Sequence, residues 1–255
     1  MQILPSIGLS HLIRHYLFLN KGSHTPGKLR LFSDGNTGIV FSTSGILTLN
    51  AQPLPDAFLY GQISDYKDIS CHGPAELFII VFRPDAFYRL FNISAGELKD
   101  KILPLTDVSG ELYKSVFSAP TTNKKITLTE AFFNTLSPGA NPLITASLDY
   151  IIKQQGQVTI NQLTSFTGLH PRQLERKFTT AIGLSPKKFS GITRMNLFLK
   201  QLRRQKLSLT QCAYESGYYD QAHLIREFRH ITGLTPSQYQ KSTAPLATNF
   251  LQLPG

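Results

Sequence analysis

The sequence has no tryptophan and only two cysteines, Cys71 and Cys212, 141 positions apart. There is no CxxC pair and no Cys/His spacing suited to a tetrahedral zinc site, so a reducing, cytosolic setting fits best. No secretory leader is expected either, since the first twenty residues carry His11, Arg14 and His15 where an unbroken apolar core would stand. The longest strongly apolar run, residues 77–82, is far short of the ~20 residues that span a bilayer. Acidic residues are scarce as well, with 16 Asp and Glu against 26 Lys and Arg, a formal charge of +10. That balance calls for an anionic partner, either nucleic acid or a membrane surface.

What is present is enough for packed structure. Hydrophobic residues make up 41% of the chain, which excludes a disordered or collagen-like protein. A length of 255 residues accommodates two domains of roughly 100–200 residues each. The one dense Pro/Gly/Asn cluster between long periodic segments, Ser137-Pro-Gly-Ala-Asn-Pro142, divides the charge. Residues 1–138 hold 12 basic and 11 acidic side chains, a net of +1, and residues 139–255 hold 14 and 5, a net of +9. A near-neutral domain is therefore joined to a polyanion-binding one.

Periodicity separates the same halves. Residues 16–19, 37–42, 46–49, 58–62 and 76–83 are short, β-branched or aromatic and bounded by turn formers, as strands are. After Pro84 the pattern turns helical, with residues 85–91 and capping boxes at Ser94-Ala-Gly-Glu97 and Thr127-Leu-Thr-Glu130.

The basic half contains a repeat. Residues 158–189 align with residues 207–239: Leu174, Phe178, Gly183, Leu184 and Pro186 match Leu224, Phe228, Gly233, Leu234 and Pro236 at an offset of 50. Each copy reads as helix, turn, helix. Thr159-Ile-Asn-Gln162 and Ser208-Leu-Thr-Gln211 are capping boxes, and Gly168 and Gly217 end those helices. Pro171 and the Asp220 cap start the second helices, which Gly183 and Gly233 terminate. Residues 192–205 join the copies as one helix.

At about 100° per residue, Leu174 and Phe178 share one side, and Arg172, Arg176 and Thr179 fall opposite, flanked by Gln173 and by Glu175. In the second copy Ala222, Arg226 and Arg229 take that place, flanked by His223. Such a face suits the major groove: guanidinium bonds bidentately to guanine, Gln to adenine, Glu to cytosine, and Ala meets a thymine methyl. The bland alternative is a solvated face with Glu175 paired to Arg172. Lys177, Lys187, Lys188, Arg194, Lys200, Arg203, Arg204 and Lys206, with the capped starts Thr159 and Ser208, are candidate phosphate contacts, and Arg229 joins them from the second face. A membrane role is disfavoured, because these cations lie on short capped helices rather than along one amphipathic surface helix.

These residues resemble the AraC/XylS family of bacterial transcription regulators over about residues 142–241. The most specific part is Ala213, Gly217-Tyr218, Asp220, Arg226-Glu-Phe228, Gly233-Leu-Thr-Pro236 and Tyr239. The resemblance implies two helix-turn-helix units binding promoter DNA, with contact to RNA polymerase. It implies Arg172, Gln173, Glu175 and Arg176 as base-reading in the first unit and Gln221, Ala222, His223 and Arg226 in the second. Phe198 stands where the family usually has Ala, and Tyr218 where Phe is commoner.

The front half resembles the cupin-like sensor domains of such regulators, through Arg30-Leu-Phe-Ser-Asp-Gly35, residues 82–91 and Leu103-Pro-Leu105. That implies a small effector or homodimerisation. No HxH occurs, His72 and Glu76 read as structural, and neither a metal nor another cofactor is expected. The expected architecture is two-domain α+β. Residues 1–137 form a cupin-like β-barrel with trailing helices, 138–142 a linker, 143–241 an all-α double helix-turn-helix domain and 242–255 a tail. The first unit covers about 158–182, the linker helix about 186–205 and the second unit about 208–232. Two other readings compete: an enzyme localised by its basic half, for which no catalytic site assembles, and a front half that binds a protein instead of an effector.

Overall fold

The structure, a computed structural model, describes residues 1–21, 27–204, 208–241 and 250–253, with side chains for 1–20, 27–202 and 208–241. Its strands are β1 (Gln2–Ile3), β2 (Ile13–Lys21), β3 (Gly27–Leu31), β4 (Gly38–Leu49), β5 (Gln52–Pro53), β6 (Ala57–Tyr60), β7 (Lys67–Phe82), β8 (Ile102–Pro104) and β9 (Phe250–Leu253). All pairings are antiparallel. The 16-residue β7 is the spine: its second half pairs β2, its first half pairs β3, and β4 runs beside both.

Residues 37–49 are expected as two strands and form one, bent by register shifts between Ser42 and Ile46. Gly45 sits there at φ +74°, a conformation that costs glycine little. The expected barrel is corrected too. The hydrogen-bonded path β1-β2-β7-β4-β6-β8 is open among the described residues, with β3 and β9 flanking β7. Bending does the work of closure: Leu17, Leu19, Val40, Leu77, Ile79 and Val81 share a core with Leu29, Leu31, Leu47 and Ile69 across the fold of the sheet. Side chains alternate along each strand, so Tyr16, Ile39, Phe41, Phe78, Ile80 and Phe82 face the other way.

That second face is covered by α1 (Ala86–Phe91), α2 (Gly110–Phe117) and α3 (Thr122–Thr135), through Phe87, Leu112, Val116 and Phe133. Both capping boxes expected here are displaced. Ser94 to Glu97 forms turns, and the Ala95 N–H donates to the Thr180 carbonyl at 2.8 Å instead of starting a helix. Thr127 lies inside α3, whose cap is Thr121, and Glu130 accepts from Ser6 N–H at 2.8 Å and from the Tyr16 hydroxyl at 3.3 Å. Tertiary partners have taken the groups that a local cap would use.

Among the described residues seven helices follow: α4 (Pro142–Lys153), α5 (Ile160–Thr167), α6 (Pro171–Ile182), α7 (Pro186–Arg204), α8 (Leu209–Glu215), α9 (Gln221–Thr232) and α10 (Pro236–Lys241). They enclose a third core, which also takes in Phe32 from the loop after β3. Asn196 on α7 donates to the Asp34 carbonyl at 2.9 Å, and Thr145 on α4 donates to Asp85 at 2.6 Å. Arg83 pairs with Asp149 at 2.8 Å. The chain returns to the sheet at β9, which pairs with β3.

The half-buried His15 makes stability depend on pH. Burial lowers the His15 imidazole from its usual 6.5 to about 4, against the opposing pull of Asp34. The unfolded chain therefore takes up a proton as pH falls through 6.5 and the folded chain resists until about 4, so stability drops across that interval as pH falls. Denaturant midpoints at pH 7 and pH 5 should differ less in His15→Gln than in the parent; an unchanged difference would refute the assignment.

Candidate nucleic-acid interface

The two helical pairs of the repeat are built from the same local signals. In the first, Thr159 and Gln162 cap each other, with Thr159 N–H donating at 2.8 Å and Gln162 N–H at 3.2 Å. Gly168 closes α5 at φ +68°. In the second, Ser208 and Gln211 do the same at 2.9 and 3.2 Å, and Asp220 accepts from His223 N–H at 2.6 Å to start α9. These bonds satisfy N–H groups that a helix start leaves unpaired.

The core stripes repeat at the offset of 50. Helix α6 buries Leu174, Phe178, Ala181 and Ile182, and α9 buries Leu224, Phe228, Ile231 and Thr232. The opposite sides are free: Arg172, Gln173, Glu175 and Arg176, and Gln221, Ala222, His223 and Arg226, are all exposed. The Arg172–Glu175 pair of the bland reading does not form within 4 Å among the described residues. Gln173 is partly committed, since its side-chain oxygen accepts from His170 N–H at 3.3 Å. His223 lies 3.9 Å from Glu227 and edge-on to Tyr218. Arg176, with Lys177 and Thr180, borders a cleft of about 350 Å³ shared with Tyr88 and Asn141.

The phosphate candidates divide. Thr159, Lys177, Lys187, Lys200, Ser208 and Arg229 are exposed and Lys188 is half-buried. Arg194 is engaged internally: its Nη1 donates to the Gly156 carbonyl at 2.8 Å and its guanidinium lies 5.9 Å from the Tyr218 ring. Burial, with Glu227 beside it, pushes the Tyr218 phenol far above its usual range, so it stays neutral. The side chains of Arg203 and Arg204, and all of Lys206, lie outside the described residues.

Phe198 explains how α7 holds the second pair. It is fully buried, edge-on to Phe228 at 5.7 Å and to Tyr218 at 6.4 Å. Sequence reasoning passed over Tyr219, which is 89% exposed in the turn immediately before the α9 cap. The Tyr218-Tyr219 doublet was the available signal, as only one of two adjacent rings in a tight turn can face the core. Among the described residues no cluster of three or more His, Cys, Asp or Glu side chains could hold a metal, and no helix is long and apolar enough to cross a membrane. His72 contacts Thr48 at 3.3 Å, while Glu76 accepts from Asn20 at 3.4 Å.

Comparison with known proteins fits this geometry. A family profile described as a helix-turn-helix domain matches residues 163–242. Over 107 residues the chain is 24% identical to a protein named as an AraC-like transcription regulator from Streptomyces antibioticus, covering 42% of this chain and 35% of that one. The chain carries an AraC-type helix-turn-helix domain. The AraC-type domain is also 30% identical, over 102 residues, to an HTH-type transcriptional regulator of Haemophilus influenzae, covering 40% of this chain and 34% of the relative. The matched part is thus about a third of the length of these relatives. Ahead of the AraC-type domain, residues 1–104 match a domain of unknown function, DUF6597. The whole fold is similar to that of ToxT from Vibrio cholerae, with a TM-score of 0.51 at 10% identity over 88% of this chain and 97% of that one.

Proposed function

We propose that the protein is a transcription regulator that reads two successive major-groove segments of promoter DNA, one with α6 and one with α9. The carrying observation is the pair of exposed faces, Arg172/Gln173/Glu175/Arg176 and Gln221/Ala222/His223/Arg226, on two repeated units, with Arg172, Gln173 and Arg176 standing 50 positions before Ala222, His223 and Arg226. Residues 143–241 are the DNA-binding domain in this reading, 138–142 the linker and 1–137 the regulatory domain. RNA polymerase is the expected second partner and the cytosol the expected setting. Relatives named as transcription regulators support this over catalysis.

Control by a small effector or by self-association through the first domain is the finer part of the proposal. A cleft of about 450 Å³ beside the sheet, lined by Phe18, Phe78, Glu76 and Lys125 among others, gives an effector room. An effector at 100 times its Kd should stabilise the chain by about 2.7 kcal/mol. Ligand-dependent shifts in melting temperature test this against a broad metabolite panel; no shift would favour the protein-binding alternative.

The DNA reading is tested by salt. Log K falls by about 0.9 per neutralised phosphate for each unit of log salt, so Lys177, Lys187, Lys188, Lys200 and Arg229 together predict a slope near about −4.5. Fluorescence anisotropy on a duplex enriched from random-sequence DNA should show a roughly 500-fold loss between 50 and 200 mM salt. A flat salt profile would remove the polyanion-binding premise.

A further inference from the structure

One loop of the sheet domain touches both recognition helices, and it touches them at equivalent residues. Residues 61–66 join β6 to β7. Beside α6, a Cβ at Gly183 would come within 3.0 Å of Gln62 Cγ and 2.7 Å of the Ala95 carbonyl oxygen, and Ala95 N–H donates to the Thr180 carbonyl. Fifty residues on, His230 Nδ1 lies 3.5 Å from Asp65, and a Cβ at Gly233 would meet Tyr66 Cε1 at 2.5 Å and Arg30 Nη1 at 2.6 Å. Arg30 donates to the Thr232 carbonyl at 3.3 Å, one of the acceptors that the end of α9 leaves unpaired.

The holding groups are themselves held. Arg30 is fixed by both Asp68 oxygens at 2.6 and 2.7 Å and lies 4.0 Å over the Tyr66 ring. Gln62 donates to the Gly35 carbonyl at 2.8 Å, and the neighbouring Phe32 and Asp34 reach the core and α7. β3, which carries Arg30, is paired on both sides, by β7 and by β9. A rigid sheet therefore grips the carboxyl ends of α6 and α9, while the base-reading candidates of both helices lie nearer their amino ends and stay exposed. The grip places the helices without covering what they would read.

We propose that Arg30, Gln62, Asp65 and Tyr66 are positioning residues that set the distance and angle between the two recognition helices, so that the sheet domain determines the operator spacing the protein accepts. This rests on the DNA reading above. Each base pair inserted between two contacted segments moves one by about 3.4 Å and turns it by about 34° around the duplex. Helices gripped by one body follow neither change, whereas helices joined through α7 alone follow both in part.

The test uses the full-length chain and a duplex that it enriches from random-sequence DNA, resynthesised with one or two base pairs added or removed between the two protected segments. Wild type should lose about tenfold or more in affinity for each such change, because the second helix forfeits its base contacts. Tyr66→Ala and Asp65→Asn should bind the original duplex within about threefold of wild type and lose most of that spacing dependence. Asp65 and His230 are more than half exposed, so Asp65→Asn keeps the test valid even if Tyr66→Ala fails to fold. Variants that retain the wild-type spacing profile would overturn the proposal and leave the DNA reading standing. If the wild-type chain enriches no duplex at all, the DNA reading falls and takes this one with it.

Discussion

Arg226→Ala should weaken binding to the selected duplex by about 1–3 kcal/mol and relax the choice of base at one position. The expectation follows from where the side chain sits. Leu224 and Phe228 bind α9 to the core, and Arg226 stands on the opposite side of the same turn, exposed, with no carboxylate within ion-pair distance among the described residues. Its guanidinium is therefore available for two parallel hydrogen bonds to guanine. Lysine at this position keeps the charge but loses the planar fork, so Arg226→Lys should recover overall affinity better than base discrimination. Arg176 is the equivalent group on α6 and should behave alike at a second base position, offset along the duplex. Selection from random-sequence DNA with each variant separates the outcomes. If Arg226→Ala loses affinity equally on all sequences and keeps the wild-type motif, the residue contacts phosphate and the base-reading assignment is wrong.

The helical units were legible because their instructions are local. A hydroxyl at the cap, an amide three residues later, a proline at the first turn and a glycine after the last one lie within a few residues of each other, and the structure uses them at Thr159, Gln162, Pro171, Gly183, Ser208, Gln211, Asp220 and Gly233. The same local rule misread Ser94 and Thr127, where distant partners, Thr180 for the one and Ser6 and Tyr16 for the other, claimed the polar groups nearby. Strand existence could be read from alternation, but neither the bend that fuses residues 38–49 into one strand nor the open path of the sheet is encoded within a short window. The grip of the sheet domain on the helices was hidden for the same reason. Arg30-Leu-Phe-Ser-Asp-Gly35 stood out as a motif, yet its partners are Thr232, Asn196 and the helical core, some 160 to 200 positions away. Exposure of the base-reading candidates could be inferred from helical periodicity; the internal engagement of Arg194 could not, because Gly156 and Tyr218 approach it from other elements.

Phe198→Ala should cost about 3–5 kcal/mol of folding stability. The large ring is tightly accommodated by its surroundings. It is fully buried and meets Phe228 and Tyr218 edge-on, a geometry that ring quadrupoles favour, and Phe228 passes the contact on to Tyr239 at 5.7 Å. Removing it leaves a cavity bounded by the stiff rings of Phe228 on α9 and Tyr218 in the turn before that helix, and such a wall collapses poorly. The consequence reaches function, because Phe228 and Tyr218 fix the two ends of the turn and helix that present Gln221, Ala222, His223 and Arg226. A denaturant midpoint that falls with an unchanged m-value would locate the effect in the folded core. Hydrogen exchange should quicken in α9 before it quickens in α6, whose own anchor is the separate Phe178–Phe189 contact at 5.9 Å. A loss below about 1 kcal/mol would mean that neighbouring side chains refill the site, and the rigid aromatic wall argued here would be wrong.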